Sequence, residues 1–80
     1  MSLEEFFESL LKNYLKFRDT SPYVLIPDLR KAVCQELGIT SEEFDRRLIQ
    51  LIKRRQFGDW LIETANIMLT ITRLKEAEEK

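Results

Sequence analysis

Apolar residues recur every third or fourth position at the start of the chain: Leu3, Phe6, Phe7, Leu10, Leu11, Tyr14, Leu15 and Phe17. That period marks one face of a helix, and Ser2 with Glu5 three residues later forms a capping box, so helix 1 is expected from about Leu3 to Arg18. Pro22 cannot continue the hydrogen-bond ladder and ends it. Tyr23-Val24-Leu25-Ile26 is apolar, partly β-branched and too short for a helix, which predicts a single strand. Pro27 and Asp28 then open a second helix carrying Leu29, Ala32, Val33 and Leu37, closed by Gly38. Thr40 or Ser41 caps a third helix over about 41–55, with Phe44, Leu48, Ile49, Leu51 and Ile52 as its apolar stripe. Gln56-Phe57-Gly58-Asp59 breaks the pattern, and Trp60-Leu61-Ile62-Glu63 and Ile67-Met68-Leu69-Thr70-Ile71-Thr72 read as a hairpin around Thr64-Ala65-Asn66.

A lone short strand between two helices is stable only if it joins that hairpin. The expected fold is therefore α+β and mostly helical, with three helices and a small three-stranded antiparallel sheet in the order α-β-α-α-β-β. At 80 residues, 44% of them hydrophobic, there is material for one core. The expected division is one domain over 1–73 and a charged C-terminal tail over 74–80.

Composition excludes several classes of chemistry. Cys34 is the only cysteine and there is no histidine, so no internal disulfide and no zinc site can form, and no metal or cofactor is expected. Apolar stretches fall far short of the ~20 residues of a membrane span. The chain begins with Glu4 and Glu5 where a secretory signal would be basic, so no membrane partner and a cytoplasmic location are expected. A Gly-rich phosphate loop, a nucleophile elbow and a paired carboxylate set are all missing, which argues against an enzyme and against a small-molecule ligand.

The stretch Ala32-Val33-Cys34-Gln35-Glu36-Leu37-Gly38-Ile39-Thr40-Ser41-Glu42-Glu43-Phe44-Asp45-Arg46-Arg47-Leu48 runs helix, Gly turn, apolar residue, hydroxyl cap, helix. In this it resembles the winged helix-turn-helix family, and the resemblance extends over about Leu3 to Thr72. Cys34 stands where the family often has a small residue between the two helices, and Ile39 and Phe44 match its buried turn and helix positions. The resemblance implies a module that binds double-stranded DNA, a transcriptional regulator or the DNA-engaging domain of an assembly, with helix 3 laid in the major groove.

Net charge is −1 and the pI is near 5.5, so nucleic-acid binding would depend on how charges are segregated. At about 100° per residue, the outward arc of helix 3 collects Glu43, Arg46, Arg47, Gln50, Lys53 and Arg54. The resemblance makes Arg46 and Gln50 the base-edge candidates and Lys53 and Arg54 the phosphate contacts, with Arg47 beside them. The same arc also reads as an ordinary solvated face with neighbours at helical spacing. Glu42, Glu43 and Asp45 crowd the first turn of helix 3, and the hairpin tip Glu63-Thr64-Ala65-Asn66 lacks the Arg or Lys that the family often presents there.

Helix 1 offers a second reading. Three Phe and one Tyr give it a wide apolar face, so Phe6, Leu10 and Tyr14 are candidates for a protein partner or homodimer surface. A two-fold pair would set two recognition helices about one DNA turn apart. The alternative function is thus a protein-interaction module docking through helix 1 or the hairpin; equally, these aromatics supply the core of a small domain. Trp60 is expected to pack under the sheet, and Cys34 to be a buried small residue with no reactive role.

Overall fold

Three helices of the described residues each begin where another group takes over a backbone partner that the helix itself lacks. The computed structural model describes residues 1–75. Helix α1 spans Leu3–Phe17, and its N-cap Ser2 accepts the Glu5 N–H at 3.1 Å. Helix α3 spans Ser41–Arg54 and is capped in the same way by Thr40, which accepts the Glu43 N–H at 3.1 Å. Helix α2, Ile26–Leu37, has Pro27 in its first turn and no side-chain cap. Its Ile26 N–H instead donates to the carbonyl of Ile67 in the hairpin turn at 2.8 Å, so tertiary structure fixes where this helix starts. Gly38 ends it in the left-handed region at φ 66°, ψ 36°, donating to the Cys34 carbonyl, a conformation that favours a residue without Cβ.

The strands are β1 (Val24–Leu25), β2 (Gln56–Phe57), β3 (Trp60–Ala65) and β4 (Met68–Arg73), in the spatial order β1-β4-β3-β2, all antiparallel. The α+β class with three helices stands, but the sheet has four strands where the pattern predicted three. The added strand β2 lies in the stretch that breaks the pattern. Arg55, at φ 62°, reverses the chain out of α3, and Gly58, at φ 60°, closes a two-residue connection that sets Phe57 opposite Trp60. The hairpin turn also moves. The strands extend to Ala65 and begin again at Met68, so the connection is Asn66-Ile67, with Asn66 at φ 61°, which Asn tolerates better than most residues. Strand β1 pairs with β4 at Leu25↔Met68, directly beside this turn. The hairpin therefore ends flush with the sheet. Residues 76–80 of the expected charged tail lie outside the described residues.

One core cluster runs from Phe6 to Ile71. Phe6, Leu10 and Tyr14 are each 0% exposed, which corrects the expectation that they form a partner or dimer surface. They line the inner face of α1, with Phe6 edge-on to Phe44 of α3 at 5.4 Å and Phe7 tilted on Phe57 of β2 at 4.8 Å. Packing of this kind adds to the area buried. Tyr14 sends its hydroxyl out of the core to donate to the Pro22 carbonyl, which ties the loop after α1 back onto the helix.

Two polar side chains are buried with partners. Asn13 donates to the Ser9 carbonyl at 2.8 Å, and the Ser9 hydroxyl donates to Glu36 of α2, whose other carboxylate oxygen meets Lys12 at 2.7 Å. Lys12 first, and the Ser9 hydroxyl second, hold the Glu36 carboxyl below the usual glutamate range. This strut ties α1 to α2.

Tyr14→Phe keeps the packing and loses one hydrogen bond worth about 1 kcal/mol, so thermal melting should fall by about 4–8 °C, the shift such a loss gives a domain of this size. Glu36→Gln tests the strut. A carboxyl whose folded pKa is lowered contributes stability above its unfolded pKa and loses it as pH falls through the folded value. In urea titrations the variant should be less stable than the parent at pH 7, and the two curves should converge below the usual glutamate range.

Candidate functional site

Helix α3 turns Phe44, Leu48 and Leu51 into the core, which leaves the opposite arc in solvent. Of the residues on that arc, Arg46, Gln50, Lys53 and Arg54 are exposed and Arg47 is half-buried. The arc is not uniformly positive. Glu43 sits between the two arginines of the first half: one carboxylate oxygen meets Arg46 at 2.6 Å and the other accepts from Arg47 Nε. Arg47 is thereby held close, its side chain only 20% exposed. Next to them Arg30 of α2 bonds Asp45 at 2.9 Å and lies over the Phe44 ring, which joins α2 to the start of α3. The structure thus brings all five predicted cations and amides to one face, but commits Arg46 and Arg47 to a carboxylate.

The second half of the arc is different. From Leu48 to Arg55 there is no acidic residue, and Lys53 and Arg54 have no ion-pair partner among the described residues. They favour the negative end of the helix and continue into cations that the sequence reading did not single out. Arg55 is fixed by its backbone: its N–H donates to Leu51 and Ile52, and its carbonyl accepts the Ile62 N–H at 2.8 Å. Its side chain is 73% exposed and only loosely paired with Glu63 at 3.8 Å. Arg73, directly opposite Trp60 in the β3–β4 register, lies over the indole at 4.9 Å, and Arg54 lies 6.0 Å from the Phe57 ring centre. Trp60 packs against the core, as expected of it, but carries this cation on its open face. The signal for Arg55 was its place in the Lys53-Arg54-Arg55 run, whereas Arg73 needed the strand register.

Lys53, Arg54 and Arg55 thus lead from the end of α3 into β2, with Arg55 facing Glu63, while Arg73 lies over Trp60 from β4, two strands away, and Asp59 precedes Trp60 in the β2–β3 turn. The hairpin tip contributes nothing basic, and its Ile67 carbonyl is bonded to α2. Cys34 is partly buried against the core with its thiol toward the Thr40 carbonyl at 3.5 Å, and burial pushes that thiol up. Among the described residues no three metal-ligating side chains come together, and no helix is long and apolar enough to cross a membrane.

No family model matches the sequence, and comparison with curated proteins and with solved structures likewise gives no match.

Glu43→Gln releases two guanidinium groups at once. The variant should elute from heparin at higher salt than the parent, whereas Glu42→Gln, which breaks no such fork, should shift elution less. Equal shifts would mean that only net charge matters and that the Glu43 fork has no effect of its own.

Proposed function

We propose that the chain is a winged-helix module that binds double-stranded DNA through the second half of α3 and the base of the hairpin, as a transcriptional regulator or the DNA-engaging part of an assembly. The observation that carries this reading is the acid-free run from Gln50 through Lys53, Arg54 and Arg55 at the exposed C-terminal half of α3. The exposed outer arc of α3 supports it, since a major groove admits an α-helix.

On this reading Gln50 meets an adenine edge and Ile49, 51% exposed on the same helix, meets a thymine methyl. Lys53, Arg54, Arg55 and Arg73 hold phosphates, positioning the helix without reading sequence. Arg46 reaches a base only by exchanging Glu43 for it, so its contribution is smaller than its place on the helix suggests. The hairpin tip ends beside β1 and carries no Lys or Arg, so on this reading phosphate contact comes from the base of the hairpin.

Four phosphate contacts give a slope of about −3.6 in log K against log salt. Fluorescence anisotropy on a mixed-sequence duplex should therefore weaken on the order of a hundredfold between 50 and 200 mM salt. Lys53→Ala with Arg54→Ala should reduce the slope by about 2 and weaken every duplex alike. Salt-independent binding, or binding that survives the double substitution unchanged, overturns the reading.

A further inference from the structure

The aromatic face of α1 is consumed by the core, yet the domain still exposes a connected apolar surface at its other end. Phe17, at the end of α1, is 39% exposed, and Tyr23 and Leu25 are 50% and 38% exposed. These three line one groove of about 600 Å³ between the end of α1, strand β1 and the Asp28–Gln35 stretch of α2. The cause is local. In the two-residue strand β1, Val24 takes the inward position and Leu25 must point out. Met68, directly opposite Leu25, and Ile67 in the turn carry the surface on, at 38% and 53% exposed. Apolar area that adjoins in this way is uncommon on a domain that works alone, and it marks contact with another molecule.

The charges around the groove define the partner. Lys16 and Lys31 line it with Asp28, and neither lysine has an ion-pair partner among the described residues. Lysines are generally depleted from the centre of an interface and belong at its rim, where they select by charge. A second copy of the chain would bring two more lysines for each aspartate, which disfavours self-pairing. We infer that this groove docks a segment of a different protein in which apolar anchor residues alternate with aspartate or glutamate. The anchors fill the space between Phe17, Tyr23 and Leu25, and the acids meet Lys16 and Lys31. The site lies at the β1 edge, away from α3, and does not depend on the DNA reading.

The test is selection of random twelve-residue peptides displayed on phage against the full chain, with counter-selection on the Tyr23→Ser, Leu25→Ser double variant. Both positions are exposed, so the variant should melt within a few degrees of the parent. The expected result is enrichment of peptides combining Leu, Ile, Phe or Trp with Asp or Glu. A synthetic copy should bind in anisotropy and lose about tenfold or more in affinity when Lys16→Glu and Lys31→Glu are combined, or when its own acids become amides. Failure to enrich any peptide, enrichment of basic peptides, or selected peptides that bind the double variant equally well would overturn the inference. So would concentration-dependent dimerisation in sedimentation that Leu25→Ser abolishes, because the occupant would then be a second copy.

Discussion

The burial of Phe6, Phe7, Leu10 and Tyr14 along one face of α1 is the constraint on which the rest of the structure depends. A chain this short has little interior to share, and these side chains, with Phe44 and Leu51 of α3, are its bulkiest contents. Phe6 meets Phe44 and Phe7 meets Phe57, so one helix reaches both α3 and the extra strand β2. Once these four side chains are spent in this way they cannot also form a dimer surface, whereas Leu15 and Phe17 of the same helix stay exposed. The outer arc of α3 and the surfaces near the two edges of the sheet are among those left open to other molecules.

On α3 two electrostatic demands compete. A helix start favours negative charge, and Glu42 and Glu43 supply it in the first turn. A DNA-reading helix needs positive charge near the same end. Glu43 resolves the conflict in favour of folding by taking both Arg46 and Arg47. Usable positive charge is displaced to the C-terminal end, where Lys53 and Arg54 complement the helix and the proposed phosphate contacts together. Counting cations on a helical arc overstates the first half of α3, because the i+3 and i+4 neighbours that neutralise it lie on the same arc.

The helices were legible because their period, their hydroxyl caps and Gly38 act over a few residues and agree with one another. Strand β2 was not, because two residues carry no period; it exists through the left-handed backbone at Arg55 and Gly58 and through pairing with Trp60. The hairpin turn was misplaced by a residue or two since Thr64 and Ala65 look like turn residues, while the β3–β4 pairing keeps them in the strand up to Asn66. Within α1, periodicity placed Phe6, Leu10, Tyr14 and Phe17 on one face, but did not say how far the core extends. The core ends at Tyr14, and Phe17 overhangs it. The cations of α3 were legible as a face, whereas Arg73 became part of the candidate site only through a cross-strand register.

The sheet itself separates the two surfaces. Strands β1 and β2 are its edges, and three spacings of about 4.8 Å put roughly 14 Å between them. Each edge is two residues long, too short to template another strand, which is how small sheets avoid pairing edge to edge. Recognition at either edge must therefore run through side chains: Arg54 and Arg55 beside β2, with Trp60 and Arg73 on the neighbouring strands β3 and β4, and Tyr23, Leu25, Lys16 and Lys31 near β1. The first set is cationic and planar, the second apolar with a basic rim, so the two edges suit different partners. On the two proposals, a duplex on α3 and a protein segment in the β1 groove would approach this small sheet from different sides.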